Sequence, residues 1–207
     1  MEKLTRRTAL GMMGAASAGF ALMGRVAAAA TVARKSVIGS RTPDVEVVTQ
    51  DGNKVHFYDD LVRGKVVLIN FFFADCGDLC PPTTANLLQM QDLLGDRLGK
   101  DIFMYSLTLE PEHDSPQVLK HYVEKYGVKP GWTFLTGAPE AMEMLRRTLG
   151  FIHPDPAADA VRLNHTGILL YGNDSLNRWS GCSASTEASE IVRLVSWLAP
   201  AAPTAVP

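Results

Sequence analysis

Two cysteines, Cys76 and Cys80, lie four positions apart directly after a long apolar run. The run predicts a buried strand and the residues after Cys80 predict a helix, so both sulfurs would lie near a helix N-terminus, whose dipole favours a thiolate. Such a pair can form a disulfide, bind one soft metal ion or alternate between these states, because both reactions require thiolates. A permanent disulfide is the alternative, although a bridge closing so small a loop adds little stability.

The patterns around the cysteines predict the elements that position them. Asp51-Gly52 lies between two short β-rich runs and predicts a hairpin over residues 45–57. The run KVVLINFFF over 65–73 predicts a strand buried on both faces of a parallel sheet. Strands and helices then alternate, which predicts an α/β sandwich of the thioredoxin kind, with a central mixed sheet, helices on both faces and an N-terminal β-hairpin. The later elements are predicted as helices over 83–94, 115–126, 139–149 and 185–198, and strands over 101–109, 132–135, 166–171 and 176–179.

His165 is the histidine that this fold would bring to the cysteines. It comes just before the apolar run Gly167–Leu170, and the loop preceding such a strand in a thioredoxin-like sandwich lies beside the cysteine loop. A histidine in such a loop is ordinarily a surface or turn residue. Two thiolates and one imidazole, however, make a low-coordinate site that suits copper as Cu(I) or Cu(II).

The N-terminal residues predict where the protein is located, and the remaining residues predict one domain and a tail. Arg6-Arg7, an uncharged stretch to Gly24 and Ala28-Ala29-Ala30 predict that residues 1–30 are a twin-arginine export signal, so the protein would be periplasmic. An uncleaved anchor on the outer face of the inner membrane is the alternative, and would give membrane association. Residues 31–198 are predicted to form one domain, and the Ala/Pro-rich residues 199–207 a disordered tail. A net charge of −2 provides no basic surface for nucleic acid.

Several motifs together resemble the Sco/SenC family, thioredoxin-fold proteins that bind copper and assist assembly of the dinuclear copper centre of cytochrome c oxidase. The resemblance implies that Cys76, Cys80 and His165 hold the family's three copper-ligand positions, and that Asp78 matches an acidic residue usual between the cysteines. It covers about residues 39–198 and rests on Gly64-Lys65, Cys76-x3-Cys80-Pro81 with Thr84-Ala85-Asn86, EPEHDSPQVL over 110–119, WTFLTG over 132–137, and the histidine before the late strand.

The sequence departs from the family pattern near these positions. Gly77 replaces a usual proline, which loosens the loop, and Asn164 replaces an acidic residue that often precedes the histidine. Glu110 and His113 replace the more usual Asp and Arg. Cys182 lies outside the pattern and is interpreted as a buried or free thiol, with an extra ligand or an intermolecular disulfide as alternatives.

Three functions remain open at this stage. The first is a copper metallochaperone that serves a copper-containing oxidase subunit, or a similar exported copper enzyme, and receives its metal from a periplasmic copper donor. The second is a thiol–disulfide oxidoreductase that reduces the target's copper-ligand cysteines, with Cys76 and Cys80 as its redox-active pair. The third is a thiol peroxidase, which is disfavoured because Phe73 stands where a peroxidatic cysteine usually has a threonine. Whether the protein is an enzyme therefore stays open.

Overall fold

The computed structural model describes residues 42–75 and 80–199. Within these residues, no helix is both long and apolar enough to cross a membrane. The predicted export signal, Cys76 with the three residues that follow it, and all but the first residue of the predicted tail lie outside the described residues.

Within residues 42–75 and 80–199, seven strands form one mixed sheet in the order β2-β1-β5-β4-β3-β6-β7. The three central strands, β3, β4 and β5, are parallel, and antiparallel strands flank them on both sides. The first two strands pair as the predicted hairpin, with Glu46 opposite His56. The strands are β1 (Glu46–Thr49), β2 (Lys54–His56), β3 (Val66–Phe72), β4 (Ile102–Thr108), β5 (Trp132–Thr136), β6 (Ile168–Asn173) and β7 (Arg178–Ser183).

The described residues form five α-helices: α1 (Cys80–Leu94), α2 (Pro116–Tyr126), α3 (Pro139–Thr148), α4 (Pro156–Asp159) and α5 (Ala188–Leu198). A π-helical turn spans Phe57–Val62, and two 3₁₀ turns span Gly95–Arg97 and Arg162–His165. The predicted ends of α2 are confirmed: the Ser115 side chain accepts a hydrogen bond from the Val118 N–H, and Gly127 ends the helix with φ 64°.

Apolar side chains cover both faces of the sheet. Every residue of β3 is buried, as predicted for a central strand. One core joins the sheet to α1, α2 and α5, and the other joins it to α3 and the π-helical turn. The predicted α/β class, with a mixed sheet and helices on both faces, is confirmed.

Four of the predicted elements have wrong bounds. Strand β6 spans Ile168–Asn173 rather than residues 166–171. Helix α1 begins at Cys80 rather than at residue 83, because prolines such as Pro81 and Pro82 fit a first helical turn, where the N–H has no intrahelical partner. Strand β7 begins at Arg178, because Asn173 pairs with Arg178 and the residues between them form the connecting turn. Helix α5 begins at Ala188 rather than at residue 185. Helix α4 and the turn ending at His165 were not predicted, since residues 150–165 show no apolar periodicity.

Candidate metal centre

The carboxyl end of β3 and the amino end of β6 lie at one edge of the sheet. The two strands are antiparallel neighbours, with Asn70 opposite Leu169. The loop that follows β3 and carries the cysteines therefore starts beside the residues that precede β6, among them His165. This arrangement agrees with the sequence-based expectation that the two loops are neighbours.

Helix α1 begins at Cys80, so this cysteine stands at the positive end of a helix of 15 residues. The first turn of α1 also approaches the histidine segment. Thr83 and Thr84 line a small cavity together with Thr166, the residue next to His165. Cys76 lies outside the described residues, so the shared metal site of Cys76, Cys80 and His165 stays a prediction.

A buried carboxylate, Asp114, fixes the start of the cysteine loop. Its side chain accepts hydrogen bonds from the Ala74 N–H, at 3.1 Å, and from the Thr108 hydroxyl at the end of β4. Asp114 is only 2% exposed. Burial raises its pKa, while the two donated hydrogen bonds lower it. Sequence reasoning gave Asp114 no role, because nothing in an exposed-looking polar loop marks one carboxylate as buried.

His165 is the last residue of a 3₁₀ turn and is 3% exposed. His165 is therefore a turn residue, but a buried one rather than a surface one. Its Nε2 lies 2.8 Å from the carbonyl oxygen of Asp159. The Nη1 atom of Arg146 lies 3.2 Å from Nε2 and 3.4 Å from Nδ1. The imidazole is thus buried between the chain just before it and a residue of α3.

A charged network surrounds this histidine. Arg146, 5% exposed, donates to both carboxylate oxygens of Glu143 and both of Asp159, at 2.7–3.0 Å. These hydrogen bonds hold the pKa of Asp159 well below its ordinary value and that of Arg146 above it; the His153 N–H also lowers the pKa of Asp159. The Glu143–Arg146 spacing on a helix is readable from the sequence, but the burial of Arg146 is not.

An open cavity of about 620 Å³ adjoins the network. Its lining includes His165, Arg146, Asp159 and His153, together with Glu112 from the loop that follows β4. An ion pair of 2.6 Å between Glu110 and Arg162 joins that loop to the 3₁₀ turn of His165. The loops after β3 and β4 and the segment before β6 are therefore connected to one another.

Cys182 lies in β7, opposite Leu169, and its thiol is free. The side chain packs, half-buried, against the core that includes α1 and α5, and burial raises the pKa of the thiol. These features agree with the interpretation of Cys182 as a buried or free thiol.

The sequence model of the SCO1/SenC family matches residues 40–197. The chain belongs to this family. It is 29% identical over 135 residues to a protein of Stutzerimonas stutzeri whose name describes it as copper-binding; the match covers 64% of each chain, so this chain spans less than two thirds of that relative's length.

The fold is also shared with solved Sco structures. BsSco, described as a Sco-family cytochrome c oxidase assembly protein with a disulfide switch, superposes with a TM-score of 0.61 and 23% identity, over 80% of this chain and 94% of BsSco. Copper-bound yeast Sco1 gives a TM-score of 0.58 and 21% identity, over 75% and 92% of the two chains. The predicted thioredoxin-like fold is confirmed.

Proposed function

We propose that this protein is a copper-binding assembly factor that carries copper to the dinuclear centre of cytochrome c oxidase or of a similar exported copper enzyme. The observation that carries the proposal is the position of His165 in this SCO1/SenC-family chain. The imidazole is buried at the sheet edge where β3 ends, and its neighbour Thr166 lines a small cavity with Thr83 and Thr84 of the helix that begins at Cys80. Copper is here the cargo of the protein.

The residue types fit this cargo. Two thiolates suit Cu(I), and an added imidazole also accommodates Cu(II). The helix N-terminus at Cys80 favours the thiolate form that ligation requires. A copper-binding relative and a copper-bound member of the same fold lend support.

The proposed setting is the periplasm, reached through the signal in residues 1–30 or with that segment kept as a membrane anchor. The client would be a copper-containing oxidase subunit, and the metal would come from a periplasmic copper donor. The client and the copper donor are both inferred from what the family resemblance implies.

Metal analysis of the purified, reduced protein tests the proposal. We expect one copper ion per chain, and loss of copper binding in Cys76→Ser and Cys80→Ser. His165→Ala should weaken Cu(II) binding more than Cu(I) binding, because imidazole matters more to the harder ion. Cys182→Ser is the matched control and should bind one copper ion like the native protein. Equal copper binding by native protein and Cys76→Ser would refute the proposed site.

The same cysteines support a second candidate function, reduction of the client's copper-ligand cysteines. In that exchange, the Cys76 and Cys80 thiols become one disulfide while a client disulfide becomes two thiols, so two protons and two electrons pass to the client. The thiolate-favouring helix N-terminus at Cys80 and the disulfide switch ascribed to BsSco favour it.

A strain that lacks the protein separates the two functions. If copper delivery is the task, excess copper should restore part of the oxidase activity lost under copper limitation. If reduction is the task, a thiol reductant should restore activity and copper should have little effect. Full oxidase activity in that strain under copper limitation would contradict both.

A further inference from the structure

Arg146 lies against both ring nitrogens of His165. Its Nη1 atom is 3.4 Å from Nδ1 and 3.2 Å from Nε2, and both residues are at least 95% buried. A guanidinium stays charged under all ordinary conditions. Arg146 therefore stands where a metal ion would have to approach either nitrogen, and its charge, which Glu143 and Asp159 partly balance, does not favour a second cation there.

The hydrogen bonds of Arg146 do not depend on the imidazole. A guanidinium has five N–H groups. The Nε and Nη2 groups donate to Glu143, Nη1 donates to the Phe151 carbonyl at 2.6 Å and to Asp159, and Nη2 donates also to Asp159. All five groups thus have oxygen partners, so moving His165 away would cost Arg146 only the long 3.4 Å contact of Nη1 with the acceptor Nδ1.

The backbone of Asp159 fixes which nitrogen of His165 carries the proton. A carbonyl oxygen can only accept, so the 2.8 Å contact requires a proton on Nε2 and leaves the lone pair on Nδ1. Histidines that bind metals commonly donate their other N–H to such a carbonyl. The ring is therefore already oriented as a ligand, with Arg146 beside its free nitrogen.

The segment that carries His165 is weakly packed. Val161 and Leu163 are 47% and 43% exposed, so shifting this segment would uncover little additional apolar surface. Its side-chain contacts are polar: Asn164 donates to the Ala158 carbonyl, and Arg162 pairs with Glu110. A small movement of the segment away from α3 would separate the imidazole from the guanidinium.

We propose that Arg146 is a positioning residue that holds His165 in the copper-free protein and must part from it before His165 ligates copper. The contact keeps the imidazole buried and away from adventitious metal until the cysteines have engaged the ion. This inference rests on the proposed function, because it takes His165 as a copper ligand.

The first test compares Arg146→Gln with Arg147→Gln in the reduced full chain. Arg147 is the matched control: it is one position away and pairs with the same Glu143 and Asp159, but it is 59% exposed and its side chain lies on these carboxylates rather than on His165. Each substitution removes one positive charge, so general charge effects cancel in the comparison.

Stopped-flow mixing with Cu(II), followed by charge-transfer absorption, measures the rate of binding. We expect Arg146→Gln to bind roughly threefold faster or more, because a larger fraction of molecules is competent to bind, and Arg147→Gln to match the native rate. In a His165→Ala background, Arg146→Gln should have no effect. An unchanged or slower rate in folded Arg146→Gln, or acceleration that persists without His165, would overturn the inference.

A second measurement uses the unsubstituted protein, so it does not depend on how Arg146→Gln folds. Nuclear magnetic resonance of the reduced, copper-free chain should show His165 fixed with its proton on Nε2 and dipolar contacts between its ring and Arg146. One equivalent of Cu(I) should abolish these contacts. Contacts that persist with Cu(I) bound would refute the inference, whereas native copper binding in His165→Ala would instead refute the ligand assignment in the proposed function.

Discussion

The two sides of the candidate metal centre are held in different ways. On the cysteine side, α1 is anchored by apolar side chains, with Leu87 and Met90 no more than 1% exposed. On the histidine side, the segment before β6 exposes Val161 and Leu163 and is held by hydrogen bonds and ion pairs. Each Å² of buried apolar surface contributes about 25 cal/mol to the free energy of unfolding. One exposed ion pair contributes about 0–1 kcal/mol in total.

This difference indicates a division of roles at the sheet edge. The helix that begins at Cys80 is part of the core and can move only if the core is disrupted. We expect the histidine segment to shift more easily than α1, because exposed polar contacts are exchanged for contacts with water at less cost than buried apolar side chains are exposed. We expect a fixed cysteine side and an adjustable histidine side, and the following predictions test that contrast.

The largest effect is expected for Leu87→Ala. Removing this buried side chain leaves a cavity in the core and should lower the free energy of unfolding by about 2–5 kcal/mol. The matched variant Leu163→Ala, on the histidine side, should change it by about 0.5 kcal/mol or less, since the side chain is 43% exposed. Urea unfolding of the two variants measures both values, and similar losses would contradict the contrast.

A smaller effect on the free energy of unfolding is expected for Asp114→Asn, and this effect should depend on pH. Burial raises the pKa of Asp114 in the folded state above its ordinary value of 3.8. The folded protein therefore binds this proton more tightly than the unfolded chain. The stability that Asp114 contributes is fully present below pH 3.8 and is lost as the pH rises through the folded-state pKa.

The measurement is the difference in unfolding free energy between native protein and Asp114→Asn across that interval. An asparagine oxygen can still accept from the Ala74 N–H and the Thr108 hydroxyl, so the local hydrogen bonds are matched. The unfolding free energy of the native protein minus that of Asp114→Asn should fall as the pH rises and then level off. A difference that grows with pH would show that Asp114 is stabilised in its charged form.

The smallest effect is expected for Arg162→Gln. Its ion pair with Glu110 joins two loops, but Arg162 is 48% exposed, so its loss should cost about 1 kcal/mol or less. Salt screens such pairs. The difference between variant and native protein should therefore shrink at high ionic strength, as thermal unfolding in low and high salt can show. A large loss of stability that does not depend on salt would mean that this ion pair stabilises the protein as much as the packing of α1 does.

Local patterns in the sequence predicted most of the fold. The Asp51-Gly52 hairpin, the buried strand β3 and the Ser115 and Gly127 ends of α2 follow from side-chain periodicity and backbone preferences within a few residues. The sequence also singled out Cys76, Cys80 and His165 by residue type and spacing. Such signals are local, because they reflect how each short segment meets the core or ends a helix.

Only the tertiary structure decided what surrounds those residues. Asp114 reaches Ala74 across 40 positions, and Arg146 reaches His165 across 19. Neither contact produces a periodic pattern in the sequence. Each arises where separate loops meet at the edge of a sheet, and the order of the strands in that sheet differs from their order along the chain. The sequence thus determined which side chains are predicted to bind copper. Burial and the charges brought beside His165, which depend on strand order and long-range packing, decided how this histidine is held.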